Sequence, residues 1–389
     1  MIPYGRQQIT QADVEAVTRA LQSELITQGP LVPQFEQAVA SRVGASYGVA
    51  ANSGTSALHI ACKALDLGPG DRLWTAPNTF VASANCGLYC GASVGFVDID
   101  PATGNMDPSL LEAALKDAAR RNLLPKVVVP VHFAGQPGDQ ERIWNLGREF
   151  GFRIVEDAAH SIGATRHGVP VGSCRWSDIT VFSFHPVKTI TTIEGGIALT
   201  NDPDLSRRMS LLRSHGITRD PAFFVDTPAD GSHYEQLMLG WNYRLTDIAA
   251  ALGLSQLQRL EDFVDRRRRL AARYDDMLKN LPVEPISVDA GSSSARHLYV
   301  IRVPGRGPEL RARLLTRMRA AGIGVNVHYR PVHLQPYWRQ FGFKQGDFPN
   351  AESHGQHALT LPLYPELDHD QQDYVVRTLA ELLNSEPAS

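Results

Sequence analysis

The chain predicts an α/β protein with a large, mostly parallel sheet covered by helices, followed by a smaller C-terminal α+β unit. Two observations carry this. From about residue 50 to 200, six short apolar runs (RLWTAP, SVGFVDID, KVVVPVHF, FRIVEDAA, ITVFSF and GIALTN) alternate with stretches of helical periodicity such as DPSLLEAALKDAARR. Strands buried on both faces read as continuous apolar runs, and parallel neighbours need a helix-length crossover between them. After DAGSSSARH, a loop, the order changes to a strand HLYVIRV, a helix GPELRARLLTRMRAAG, a strand IGVNVHY and a helical tail from Asp368. Residues 1–245 are thus expected to form the large domain and residues 281–389 the small one.

The joining segment, residues 246–280, reads as one long helix, because apolar residues recur at three and four from Thr246 to Leu278. Its Arg266–Arg269 run is flanked by Asp262, Asp265, Asp275 and Asp276, the pattern of a solvated helix face rather than a basic binding patch. Leu73 to Val97 carries no charge, but Pro77, Asn78, Asn85 and several Gly and Ser residues make it a poor membrane span, so a buried helix is expected there.

Composition narrows the function classes. With 389 residues, 43% hydrophobic, 20% charged and a net charge of −3, the chain is long enough for two domains and lacks the basic excess that a nucleic-acid partner requires. MIPYGRQQIT has no basic segment leading into an apolar core, so no secretory signal is expected. The four cysteines are too few and too irregular for a disulfide framework. Cys86 and Cys90 lie one helical turn apart, yet no second Cys/His pair completes a metal site, so small buried thiols, no metal and a cytoplasmic location are expected.

The chemistry is concentrated in FSFHPVKTITTIEGG, Phe182 to Gly196. Lys188 sits there in an aromatic, β-branched and proline-bounded segment, where a charged amine is costly unless neutralised or paired. The strand ITVFSF would deliver Ser183 and Lys188 to the carboxyl edge of the sheet, where open α/β folds bind ligands. A lysine held dry loses its proton readily and attacks aldehydes. FRIVEDAAHS ends another strand with Glu156 and Asp157; alternation turns one of them away from the site, and a carboxylate at a strand end can hold a pyridinium proton or cap a following helix. His160 follows three residues on. In AANSGTSALHIACKAL, small polar residues from Asn52 to Ser56 open a helix, which makes an anion site or simply a cap. Phe80 of APNTFVASAN, near another strand end, can cover a planar ring or belong to the core.

Taken in order, NSGTSAL, NTFVASAN, VEDAAHSIGA, FSFHPVKTITTIEGGIALTN, LLRSHG and GWNYRLTDIAAALGLSQL resemble the sugar-nucleotide aminotransferases of the DegT/StrS type. The resemblance runs over nearly the whole chain, from IPYGRQ to NVHYRPVH. It implies the aspartate-aminotransferase-like fold (type I) with a seven-stranded sheet, and pyridoxal 5'-phosphate (PLP) as cofactor. It further implies that Lys188 carries the cofactor as an imine and later shuttles a proton, that Asp157 pairs with the pyridine nitrogen, that His160 approaches the ring hydroxyl and that Phe80 stacks on the ring. Gly54, Thr55 and Ser183 would hold the phosphate, and Asn242 would reach the phosphate of a neighbouring subunit's cofactor, so a homodimer with shared active sites is implied. His328, Tyr329 and Arg330 would lie where the family places nucleotide-contacting groups.

One branch of the family replaces the lysine by histidine and dehydrates; Lys188 argues for transamination. FSFHPVKTITTIEGG, LLRSHGITR and VNVHYRPVHLQPYW are most similar to the transaminases of pseudaminic acid biosynthesis, which implies amino transfer from L-glutamate to C4 of a UDP-linked 4-keto-6-deoxy-N-acetylhexosamine, yielding UDP-4-amino-4,6-dideoxy-N-acetyl-β-L-altrosamine. The sugar's stereochemistry, its acetamido group and the choice of C4 over C3 depend on loops such as ITRDPAFFVDTPADGSHYEQLML, which patterns do not decode. A PLP- or sugar-binding regulator without turnover stands as the non-enzyme alternative. A nicotinamide-dependent reductase is supported only by the α/β pattern, since no G-x-G-x-x-G follows a first strand.

Overall fold

The computed structural model describes residues 1–226, 233–304 and 307–385. A seven-stranded sheet is built from β1 (Tyr47–Ala51), β2 (Arg72–Thr75), β3 (Ser93–Phe96), β4 (Val127–Val129), β5 (Arg153–Asp157), β6 (Ile179–Ser183) and β7 (Gly196–Thr200), in the spatial order β1-β7-β6-β5-β4-β2-β3. Neighbours from β6 through β3 are parallel; β7 alone runs the other way, antiparallel to both β6 and β1. The six predicted runs are six of these strands. The seventh, β1, has the sequence YGVAA, whose glycine and alanines carry little strand propensity; its pairing with the distant β7 makes it a strand.

Helices cover both faces. On one side α3 (Gly54–Ala64), α4 (Ala82–Tyr89) and α7 (Pro203–Arg213) close a core around Leu58, Ile60, Leu73, Val127 and Val181. On the other, α2 (Leu31–Val43), α8 (Asp247–Leu257) and α9 (Leu260–Met277) pack Phe35, Phe263 and Val264 on Phe182, Phe184 and Ile197. The C-terminal unit has its own core, where α9, α10 (Gly307–Ala320) and α12 (His369–Asn384) cover a short antiparallel sheet of Glu284–Pro285, Tyr299–Arg302 and Ala358–Leu361.

Four expectations are corrected. The uncharged stretch Leu73–Val97 is not one buried helix; it is most of β2, then α4, then β3 and Val97. The segment 246–280 is two helices, broken at Gln258–Arg259, where Ser255, Gln256 and Arg259 all converge on the buried carboxylate of Asp13 in α1 (Gln11–Leu21). IGVNVHY is not a continuous strand: Ile323 bridges Ile2 and Asn326 bridges Thr360, and from Asn326 to Tyr329 the chain lines the cavity described below. Finally, the Arg266–Arg269 run is not simply a solvated face: Arg267 is buried and donates to the carbonyls of His297 and Leu363, while Arg266 and Arg268 also donate to backbone carbonyls.

The topology assembles a site at one edge. Ala51, Gly196 and Ser183 stand in one cross-sheet row, placing the end of β1, the start of β7 and the end of β6 together. The chain leaving β1 turns at once into α3, whose first residue, Gly54, meets that row. A Cβ on Gly196 would lie 2.6 Å from Gly54 Cα and 2.7 Å from its nitrogen, contacts no real side chain makes. Gly196→Ala is therefore expected to force helix and strand apart and cost about 1–3 kcal/mol as an overpacking defect; an unchanged urea midpoint would contradict this contact.

Candidate active site

The carboxyl edge opens on a cavity of about 480 Å³, lined by Gly54, Thr55, Phe80, Asp157, His160, Ser183, Lys188, His328 and Tyr329, all predicted, together with Tyr4, Thr79, His185, Glu194, His297 and Asn326, which were not. Asn242 and Arg330 are exposed and do not line it; Arg330 donates to the carbonyl of Leu334 (3.3 Å). A larger groove of about 610 Å³ lies among α1, α2 and α8, but alanines and leucines dominate its wall and no predicted site residue reaches it.

The lysine's position follows from the chain around it. Phe184 N–H donates to Gly195 O (2.9 Å) and Thr192 N–H to Phe184 O (3.0 Å), closing a loop between β6 and β7, while Phe184 and Ile190 are sunk in the core. A tight turn, Lys188 N–H to His185 O at 2.9 Å, then leaves the side chain on the cavity wall. Burial pulls the Lys188 amine down to about 8, with the charge of Asp157 opposing the shift.

Strand alternation separates the two acids as expected. Asp157 is on the cavity side, almost fully buried, and accepts from Ser83 Oγ (2.5 Å) and from Ala159 N–H (3.2 Å). Burial raises its carboxyl; the Ser83 and Ala159 donors and the Lys188 charge act against that. A turn rather than a helix follows, so the helix-cap reading of Asp157 is excluded. Glu156 points to the other face, where Thr180 (2.6 Å) and Gln140 (3.2 Å) donate to it.

His160 is buried, with Nε2 3.3 Å from the Tyr329 hydroxyl and its ring 4.4 Å from that of His297. Burial holds His160 and His297 well below the ordinary histidine value and His328 at about 3, with Lys188 adding to each shift, so these rings are neutral at pH 7. The Nδ1 atoms of His160 and His297 are buried without a partner. Phe80 is 59% exposed although it borders the cavity, a face of phenyl with no core to join. At the α3 N-terminus, Ser53 is a true cap, accepting from Ser56 N–H (3.1 Å), and Ser56 is tied to Asn52. Gly54 and Thr55 occupy the first turn, whose N–H groups have no intrahelical acceptor, with Ser183 pressed against Gly54.

The comparisons with known proteins give the family. Residues 7–380 match the model of the DegT/DnrJ/EryC1/StrS aminotransferase family. The chain belongs to that family. It is 38% identical to the spore coat polysaccharide biosynthesis protein SpsC of Bacillus subtilis, over 98% of this chain and 97% of that protein. Among solved structures it is similar to Spr1654 of Streptococcus pneumoniae (32% identity, TM-score 0.89, 98% of each chain covered), known in apo-, PLP- and PMP-forms, and to Helicobacter pylori PseC, an aminotransferase of pseudaminic acid biosynthesis (29%, TM-score 0.91, 99% of this chain and 100% of that one). These establish the type I aminotransferase fold, with PLP as cofactor.

The residues present fit that group. The first turn of α3 presents N–H groups at the cavity wall beside Ser183, a buried carboxylate and an amine share the cavity, and an unpartnered imidazole nitrogen and a bare phenyl face flank them. Among the described residues, no cluster of three or more His, Cys, Asp or Glu is placed to hold a metal, and no helix is long and apolar enough to cross a membrane. Because the amine titrates at about 8, its nucleophilic form dominates above that pH and is lost as pH falls below it. Attachment of PLP to Lys188, fixed with borohydride and measured against pH, is expected to half-rise near pH 8. A rate still climbing beyond pH 10 would mean that the amine is not desolvated.

Proposed function

We propose that this pyridoxal-phosphate-dependent sugar aminotransferase passes the amino group of L-glutamate to C4 of a UDP-linked 4-keto-6-deoxy-N-acetylhexosamine, the step that forms UDP-4-amino-4,6-dideoxy-N-acetyl-β-L-altrosamine. The observation that carries the chemistry is the sharing of one cavity by the Lys188 amine and the Asp157 carboxylate beside the start of α3. The similarity to PseC along the full chain supports the substrate class. A second reading, amination of a different keto sugar destined for a surface polysaccharide, is favoured by the 38% identity to SpsC.

Each residue has a definable task. Gly54, Thr55 and Ser183 hold the cofactor's phosphate, Phe80 covers one face of its ring and His160 faces the ring hydroxyl. When bound, PLP supplies an electron sink that makes a proton on the carbon bearing the donor's nitrogen removable. Lys188, whose neutral form gains as pH rises toward 8, would take that proton and hand it back as the general acid and base of the site. Asp157 keeps the proton on the ring nitrogen, which a neutral neighbour would not. Tyr4, Tyr329 and the neutral histidines wall the site without competing for protons.

Among the described residues no arginine lines the cavity, whereas both substrates are anionic. Arg330 lies outside it, in the stretch that follows Tyr329, a fork suited to phosphate, and Asn242 sits on the outer surface beside Leu239, which is 78% exposed. Both placements support an active homodimer in which Asn242 of one copy completes the other's phosphate site. His328, bound through Nδ1 to Thr360 Oγ1 (2.8 Å), has one ring nitrogen left for the nucleotide. The loop named for sugar choice falls partly on residues 227–232, outside the described residues.

Lys188→Ala is expected to abolish both turnover and the borohydride-fixed adduct, and a variant that keeps either one removes Lys188 from its role. Asp157→Asn should slow the amino-donor half-reaction about 100-fold or more while retaining much of the cofactor; an unimpaired rate would assign the ring nitrogen to another group. Incubation with glutamate and UDP-4-keto-6-deoxy sugars of both epimeric series, with NMR of the product's C4 centre, decides between the two substrate readings.

A further inference from the structure

The nearest donor to Asp157 is a serine that no step above employs. Ser83, in the first turn of α4, and Thr79, just ahead of that helix, are both buried. Ser83 Oγ stands 2.5 Å from Asp157 Oδ2, 2.7 Å from Thr79 Oγ1 and 3.3 Å from the carbonyl oxygen of Phe80. A serine has one proton to give. The carboxylate, at the shortest distance, takes it; Thr79 must then be the donor to Ser83, and the Phe80 carbonyl is left a secondary neighbour. The result is a directed chain, Thr79 O–H to Ser83 O–H to Asp157, in which each donor polarises the next. The backbone of Asp157 is held independently, its N–H on Pro130 O (2.9 Å) and its carbonyl receiving His132 N–H (3.0 Å), so the two hydroxyls govern the side chain alone.

We propose that Thr79 and Ser83 are positioning residues of the transamination site: their hydroxyl chain holds the Asp157 carboxylate charged and aimed into the cavity. Both stand in the turn that carries Phe80. The same chain therefore sets the ring-pairing acid and the ring-covering phenyl at a fixed offset. This rests on Asp157 being the partner of the cofactor's ring nitrogen. The electrostatics run the same way: burial pushes the acid up, and Ser83 heads the groups that pull it down, ahead of Ala159 N–H and Lys188 from the β6–β7 loop. Of the other titratable groups lining the cavity, the Tyr329 phenol and the His160, His297 and His328 rings are neutral, and the half-exposed His185 and Glu194 face each other at 3.9 Å.

The test compares Ser83→Ala, Ser83→Thr and Thr79→Val in the full chain. Ser83→Ala is expected to weaken PLP binding about tenfold and to slow the amino-donor half-reaction at least as much with little change in donor KM; Ser83→Thr should restore both to within about threefold, and Thr79→Val should fall between. A second readout needs no catalysis. With 13C-labelled aspartate, the infrared titration of Asp157, identified by its loss in Asp157→Asn, should move up by about one unit in Ser83→Ala. Ser83→Ala binding PLP and titrating as the parent does would overturn the proposal. Should the parent chain show no borohydride-fixable cofactor on Lys188, the transamination reading falls, while the carboxylate titration still decides whether Ser83 holds the acid. If Ser83→Ala does not fold, Thr79→Val carries the same two readouts, and parental values there would be equally fatal.

Discussion

The site depends on two opposite charges made unfavourable by the same burial. Asp157 is buried and Lys188 half-buried, the amine losing basicity and the carboxyl losing acidity, and each partly restores the other. That mutual support lets an amine sit half-protonated near pH 8 beside a carboxylate that remains available to a ring nitrogen. Neither condition survives in open solvent, where a lysine stays charged and an acid is hydrated. The sheet, its helices and the neutral histidines serve to keep the two groups dry together.

The fold achieves this by bringing distant segments to one edge. Asp157 ends β5, Ser183 ends β6 and Gly54 starts the helix after β1, so two strand ends and a helix start from separate parts of the chain meet at one cavity. The C-terminal unit then closes the opening with Asn326–Tyr329, and the first residues of the chain join it, since Ile2 bridges Ile323 and Tyr4 O receives Leu363 N–H at 3.0 Å. Tyr4 thereby lines a cavity whose next wall residue along the chain is Ser53.

Much of this was legible from residue patterns. Apolar runs gave six of seven strands because parallel strands buried on both faces announce themselves; β1 did not, because Gly48, Ala50 and Ala51 are held by a partner rather than by propensity. Lys188, Asp157, Gly54, Thr55, Phe80, His160, Ser183, His328 and Tyr329 fall on the cavity since each lies at an element end that the topology sends to the same edge. Thr79, Ser83, His297 and Tyr4 were missed for the complementary reason: serine and threonine ahead of a helix read as caps, and a contact between α4 and β5 leaves no local trace. The break at Gln258–Arg259 was hidden because an apolar period of three and four continues across it.

The single reversed strand repays a last look. Because β7 returns antiparallel to β6, the segment from Phe184 to Gly195 leaves and re-enters the sheet at the same rim, as a hairpin, where a parallel partner would have carried it across to the far side. Both feet of that hairpin are clamped, so the main chain under Lys188 is a fixed pivot. Any travel the amine makes between two reacting carbons belongs to its own four-methylene arm, a radius of a few ångströms swept from an immovable base.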